Sequence, residues 1–364
     1  MAAFSATASS ISRAPVSAVI LAGGRGERLW PRARRRRPKP FVPLLGGASL
    51  FERTAARARA LAGTRRVFVV CGAEEIRWVR RQAPWIPPAR VVAEAIGRET
   101  AASVALAALR LGRAGERGVM VVLPADHFVA PAGRFRADVR RAGRAAAAKD
   151  ALAILGIPPT EAATGYGYVR VGAAAGLPGV RLGAGFVEKP APARAARLAG
   201  DGRHLWNCGI FVGTPAVFLR ELRRHAPRVL APLERAAQSA GRAWRVPARI
   251  LRAVPRTPFD RAVLERTRHL LVVRATFRWS DLGTWSALAA LSEEAAALRR
   301  GEGRVILDAS STRCAAFNPG GLTAFVGVRD LVVVRDGSAV LVCHRGAAQR
   351  VREIARRLRG SEAS

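Results

Sequence analysis

Short, nearly uninterrupted apolar runs alternate with helix-like stretches through the first half of the chain. Residues 18–21, 66–71 (RVFVVC), 91–93 and 119–123 read as strands, with helical patterns over 50–61 and 100–111. Runs that stay apolar at successive positions are those of strands covered on both faces. Their alternation with helices predicts an α/β fold: a doubly wound, mostly parallel, Rossmann-like sheet. A polar, helical insertion is expected over 215–268, after which 270–273 returns as a strand. Beyond residue 302 the texture changes to short β runs (RVILD, TAFVGV, LVVV, AVLVC) parted by Gly, Asp and Asn turns, and 347–358 is helical. The expected organisation is a loose leader over 1–16, a main domain over 17–300 and a small β-rich C-terminal domain over 301–364 that ends in a helix.

Composition narrows the class. A chain of 364 residues with 50% hydrophobic content is a folded globule, long enough for a large domain and an appendage. It holds no apolar stretch long enough to span a membrane, and its first residues lack the basic start and continuous apolar core of a secretory signal. Cys71, Cys208, Cys314 and Cys343 are far apart, without metal or redox spacing. A reducing, cytoplasmic setting is expected. The formal charge of +35 comes from arginines scattered along the whole chain. A nucleic-acid surface would gather its charge into one patch or module, so compositional bias is the reading, with no specific nucleic-acid partner. A substrate bearing several negative charges is compatible with the excess.

Lysine is scarce. Of 61 basic residues only Lys39, Lys149 and Lys189 are lysines, and two of these close short unusual motifs. Lys39 ends the block LAGGRGERLWP…RPKP, in which Gly23, Gly24 and Gly26 follow a strand directly. Glycines there let backbone N–H groups turn toward phosphate oxygens, although the spacing is neither the Walker nor the dinucleotide pattern and a simple tight turn fits it equally. Arg28 adds a planar fork for phosphate, and Lys39 a compact point charge. Asp126 follows an apolar run and a proline, at the carboxyl end of a strand where open α/β sheets place ligands. Asp281 sits between Trp279 and Trp285. Each aspartate could be a helix cap; together they could hold one Mg²⁺, which prefers carboxylate and phosphate oxygens.

Glu188 and Lys189 are adjacent in FVEKP, so in a strand they would face opposite sides; both reach one ligand only if the chain bends there, as Pro190 implies. Asn207 could donate to and accept from sugar hydroxyls, or cap a turn. His127, His204, His225, His269 and His344 show no ligand spacing and read as structural or surface residues. Cys208 has no basic partner in sequence. Trp30, Trp206, Trp279 and Trp285 flank the polar candidates; core packing is the default for each, and it would also dry and stiffen a pocket.

Taken together, LAGGRGERLWP with RPKPF, VLPADH, GYGYV, FVEKP, WNCGIF and FRWSDLGTWSAL resemble the sugar-1-phosphate nucleotidyltransferases, from about residue 17 to the end. Trp30 and the Trp279-Ser-Asp281 block point toward the mannose/GTP branch. The resemblance implies a reaction of GTP with mannose 1-phosphate to give GDP-mannose and pyrophosphate. By its pattern, Gly23 to Arg28 would hold the triphosphate and Lys39 would contact phosphate during transfer. Asp126 and Asp281 would be the Mg²⁺ ligands. Gly165, Glu188, Lys189 and Asn207 would hold the sugar phosphate. The stretch from Glu94 through Gly97 to Thr100 would recognise the base, with Glu94 accepting from guanine N1–H and N2–H₂. Four residues depart from the pattern: Glu99 replaces an asparagine and calls for a compensating cation such as Arg98, while Pro40, Ala33 and Arg261 replace glutamine, serine and tyrosine. Many such proteins carry a fused isomerase barrel; the transferase activity alone is expected here. The same chemistry on another sugar or nucleotide, such as glucose 1-phosphate with UTP or dTTP, is the nearest alternative. A catalytically silent regulatory or scaffold relative is a second. An exposed edge strand of the β appendage could pair two copies into a homodimer.

Overall fold

The computed structural model describes residues 15–24, 26–239, 246–294 and 303–361. The expected leader lies, through residue 14, outside the described residues, as does the expected boundary near residue 300. The strands in chain order are β1 (Val16–Ala22), β2 (Val67–Gly72), β3 (Val91–Glu94), β4 (Val119–Pro124), β5 (Phe128–Ala130), β6 (Leu152–Ile157), β7 (Gly167–Ala174), β8 (Val180–Glu188), β9 (His204–Gly213), β10 (Leu270–Arg274), β11 (Arg278–Ser280), β12 (Arg304–Leu307), β13 (Ala315–Phe317), β14 (Leu322–Phe325), β15 (Leu331–Asp336) and β16 (Ala339–His344).

Two compact units share the chain. The first holds residues 1–23, 55–124 and 129–279; the second holds 24–54, 125–128 and 280–364. Among the described residues, nine strands of the first unit form one sheet in the order β3-β2-β1-β4-β9-β6-β10-β8-β7, with a further β7–β9 pairing. The expected α/β sheet is present, and it is mixed. From β3 to β4 all neighbours are parallel, as are β6 and β10, whereas β9 enters antiparallel to both β4 and β6 and β8 lies antiparallel to β7 and β10. The parallel part is what the continuous apolar runs announce: Ala18, Val19, Ile20 and Val121, Val122 are fully buried. Each of the larger side chains contributes roughly 1.5–3 kcal/mol by leaving water. Helix Glu99–Arg113 lays Ala101, Val104, Ala108 and Leu111 on the core that also contains Val19, Val70 and Val122. The expected helical insertion forms the helices Pro215–His225, Pro227–Ser239 and Ala248–Ala253, then a π-helical turn over Asp260–Leu264.

In the second unit, the start of helix Leu50–Ala62 carries a reciprocal cap. The Ser49 hydroxyl accepts from the Glu52 N–H (3.0 Å) and the Glu52 carboxylate accepts from the Ser49 N–H (2.7 Å), the arrangement the Ser-x-x-Glu spacing encodes. The β-rich C-terminal runs pair as β12 with β14 in parallel, and as β13-β15-β16. Cys314, Ala316 and Phe325 form a small core there. No helix among the described residues is long and apolar enough to cross a membrane.

Candidate functional site

In the second unit the candidates Arg28, Lys39, Asp126 and Asp281 come together. Glu27–Leu29 and Lys39–Phe41 are short 3₁₀ turns. Lys39 is buried, and its Nζ donates to Asp126 Oδ2 (2.7 Å) and to the Asp281 main-chain carbonyl (2.5 Å). Burial alone would push the Asp126 carboxyl up, but the Lys39 ammonium, with His127 beside it, outweighs that and holds the group below its ordinary value. His127 Nε2 lies 3.7 Å from Asp126 Oδ1, so this histidine sits within the cluster.

Two glycines make these approaches sterically allowed. Gly26 has φ +64°, and a Cβ on it would stand 2.3 Å from the Lys39 Cβ. A Cβ on Gly283 would lie 2.7 Å from Asp281 Oδ2 and 3.2 Å from Arg28 Nη1, which brings guanidinium and carboxylate together at that glycine. Asp281 Oδ1 accepts from the Gly283 N–H (3.0 Å). Leu282 between them is fully buried at φ +48°, a left-handed conformation that costs a branched residue energy and persists only where packing enforces it. Trp285, three residues on, is fully buried, packs on Phe317 and donates its indole N–H to the Trp30 carbonyl (2.8 Å). Two of the motif tryptophans thus anchor the Asp281 turn to the glycine-rich block. Gly23 and Gly24 have open space where a Cβ would stand.

The candidate base-recognition segment lies in the first unit. Glu94 ends β3 and is buried, and its Oε1 accepts from the Ser103 hydroxyl (2.8 Å). Burial, opposed by that hydrogen bond and aided by Glu75, pushes its carboxyl up to about 7. Gly97 is exposed with nothing near its missing Cβ. Glu99 has φ +67°, and the cation beside it is Arg256, at 3.4 Å. The Arg98 guanidinium is engaged elsewhere, donating to the Leu251 and Arg252 carbonyls (2.6 and 2.9 Å).

The candidate sugar-phosphate residues also lie in the first unit. The chain bends at Lys189, φ +48°, so that Lys189 Nζ meets Glu188 Oε1 at 3.3 Å. The two neighbours therefore share a side, as the following proline implied. Burial first, then the negative charge of Asp260, raises the Glu188 carboxyl to about 7 against the pull of Lys189 and Arg261. Asn207 is buried; its Nδ2 donates to Asp260 Oδ1 (2.6 Å) and its Oδ1 accepts from the Gly209 N–H (3.1 Å). Gly165 is exposed and adjoins Tyr166, whose ring meets Trp206 and Trp279 edge-on at 5.1 and 5.0 Å. The indole N–H of Trp206 is buried without a hydrogen-bond partner among the described residues. Asp260 and Glu265, which accepts from the Glu188 N–H (2.9 Å), were not singled out from sequence. Asp260 adjoins Arg261, which departs from the family pattern, but no distinctive flank marks either acid; proximity in space does.

Residues 17–297 match the Nucleotidyl transferase family, and residues 303–358 match the MannoseP isomerase/GMP-like beta-helix domain. The chain is 34% identical over 347 residues to the alginate biosynthesis protein AlgA of Pseudomonas aeruginosa, spanning 93% of this chain and 71% of that protein. It is 33% identical over 360 residues to a mannose-1-phosphate guanylyltransferase of Escherichia coli, spanning 94% and 73%. Among solved structures it is similar to one described as a mannose-1-phosphate geranyltransferase from Thermus thermophilus, with a TM-score of 0.83, 32% identity, and coverage of 94% of this chain and 99% of that one.

Proposed function

The chain belongs to the nucleotidyl transferase family, and from that premise we propose that it joins GTP and mannose 1-phosphate into GDP-mannose with release of pyrophosphate. The observation that carries the reading is the buried Lys39 ammonium, bonded at once to the Asp126 carboxylate and to the Asp281 backbone. A fixed cation held by a carboxylate and a backbone carbonyl is what transfer between polyphosphates needs, because the chemistry is chiefly positioning and charge neutralisation.

The attacking group is an oxygen of the sugar phosphate. It is already ionised, so no side chain has to remove a proton. As it closes on the α-phosphorus, the bond to the bridging oxygen of the β-phosphate breaks and negative charge grows on pyrophosphate. Arg28 and Lys39 stabilise that charge, and the Gly23–Gly24–Gly26 loop turns N–H groups toward the triphosphate. Glu94 as an anion accepts from guanine N1–H and N2–H₂. Lys189 neutralises the sugar phosphate, while Glu188, Asn207 and the backbone at Gly165 hold the sugar. Asp126 and Asp281 offer hard oxygen donors, and Mg²⁺ commonly takes one or two protein carboxylates and fills its other positions with phosphate oxygens and water; the donor set fits. Bound there, the ion would draw charge from the phosphates.

The four cysteines are unpaired, which fits a cytoplasmic reaction. Leu322, Val326, Val340 and Val342 expose apolar side chains on the C-terminal runs, the surface through which a homodimer would form; a monomeric mass in solution would rule that out. The function is tested by pyrophosphate release from four nucleoside triphosphates crossed with several sugar 1-phosphates. Fastest turnover with GTP and mannose 1-phosphate is expected. A preference for UTP or dTTP with glucose 1-phosphate would replace this assignment.

A further inference from the structure

We propose that Asp260 is a positioning residue of the sugar-phosphate site: it locks the Asn207 carboxamide in one orientation and, with Glu265, sets that site on a single rigid turn. The inference rests on the reading of Glu188, Lys189 and Asn207 as the residues that hold the sugar 1-phosphate.

A carboxamide offers two N–H donors and one carbonyl oxygen, and its two orientations are nearly equal in shape. At Asn207 they are unequal in partners. On one side stands the Gly209 N–H, a donor; on the other stands Asp260 Oδ1, which accepts from the Asn207 Nδ2–H. Burial raises the Asp260 carboxyl, and the Asn207 N–H and the Lys189 charge oppose that rise, so the lock is at full strength where Asp260 is ionised. A flipped amide would set donor against donor and acceptor against acceptor. Asp260 therefore decides that an N–H and a carbonyl lone pair of Asn207, each in a fixed direction, remain for a ligand hydroxyl or phosphate oxygen.

The turn that carries Asp260 is built for this task. The Glu265 N–H donates to the Asp260 carbonyl (3.0 Å), closing an i→i+5 turn, a rare form that is frequent at functional sites. Its two ends reach two different strands: Asp260 holds Asn207 on β9, and Glu265 accepts from the Glu188 N–H at the end of β8. The turn is itself pinned to the start of helix Glu99–Arg113, where the Phe259 N–H donates to the Thr100 hydroxyl (2.8 Å) and the Ala101 N–H to the Thr257 carbonyl (3.3 Å). The charged groups acting on the Glu188 side chain are Lys189, Asp260 and Arg261, with Glu265 at its main chain. When ionised, Asp260 also adds a negative charge that favours the protonated form of Glu188.

The experiment measures KM for mannose 1-phosphate and for GTP separately in wild type, Asp260→Ala, Asn207→Ala, the double variant and Asp260→Asn. Asp260→Ala should raise KM for the sugar phosphate by about 10- to 100-fold, the loss expected for a hydrogen bond to a charged group, with KM for GTP within about twofold. The double variant should be little worse than either single one, since both remove one interaction. Asp260→Asn keeps the shape and removes the charge, so the limb of the sugar-phosphate KM profile near pH 7 should move to lower pH. Parallel changes in both KM values, additive single effects, or an unmoved pH limb in Asp260→Asn would overturn the inference. If Asp260→Ala does not fold, the pH profile of Asp260→Asn decides. If Asn207→Ala leaves KM for the sugar phosphate unchanged, the reading of the site fails and the inference with it. If Asn207→Ala raises that KM and Asp260→Ala does not, the inference alone fails.

Discussion

Two lysines, each beside an acid, behave in opposite ways. The Lys39 side chain is 8% exposed and 2.7 Å from Asp126, and it holds that carboxyl below its ordinary value. The Lys189 side chain is 54% exposed and 3.3 Å from Glu188, whose carboxyl rises to about 7. Both acids are penalised by burial, so the difference lies in the partner. An ammonium sheltered from water at short range acts at full strength, whereas water screens one that is half in solvent. The neighbouring charges differ too: Asp260 adds its own to Glu188, whereas the charges acting on Asp126 are those of Lys39 and His127. One lysine is therefore built to keep an anion ionised for electrostatic work. The other leaves its partner poised near neutrality, where an acid can donate to one hydroxyl or accept from another.

The largest effect should come from removing the sheltered cation. Lys39→Ala is expected to lower kcat about 10²–10³-fold, as when one transition-state donor is lost; steady-state turnover measures this, and near-normal kcat would end the contrast. Gly26→Ala attacks the same residue indirectly, since its Cβ would fall 2.3 Å from the Lys39 Cβ. About a 10²-fold loss in kcat is expected, with the helical content seen by circular dichroism retained. Glu94 sharpens the comparison, because it is another buried acid brought to about 7, and the side chains acting on it are Ser103 and Glu75 instead of a lysine. Its raised value means the anion, proposed above to accept from guanine, is lost as pH falls through 7. KM for GTP should climb toward acid, about tenfold per pH unit below that point, and Glu94→Gln should flatten the profile and erode preference over ATP. A profile unchanged by Glu94→Gln would remove the role. The smallest effect belongs to Glu99, whose ion pair with Arg256 is exposed on both sides. Glu99→Asn should alter KM for GTP by only about twofold, as surface pairs contribute little; a tenfold change would show that the carboxylate meets the nucleotide.

The parallel half of the sheet was legible because strands buried on both faces write continuous apolar runs, and β1, β2 and β4 are such strands. The antiparallel entry of β9 was not. Direction depends on where the connecting chain returns, and a local pattern such as HLWNCGIFVG carries no sign of it. Asp126 and Asp281 stood out through rigid flanks, a proline before one and tryptophans around the other, and the fold brings the Asp126 carboxylate and the Asp281 backbone to Lys39. Asp260 and Glu265 escaped notice because their partners, Asn207 and Glu188, are brought to them only by the folded sheet. Glu99 called for a compensating cation, Arg98 or another neighbour; which one it is only the fold decides, and it supplies Arg256.

The near absence of lysine has a practical consequence. Lys39 is buried, while Lys149 and the end of Lys189 face outward. An acylating reagent selective for primary amines would thus find few targets among the side chains of 364 residues. Modification at Lys189, read by mass spectrometry against Lys149 as an internal standard, would then report occupancy of the proposed sugar-phosphate site.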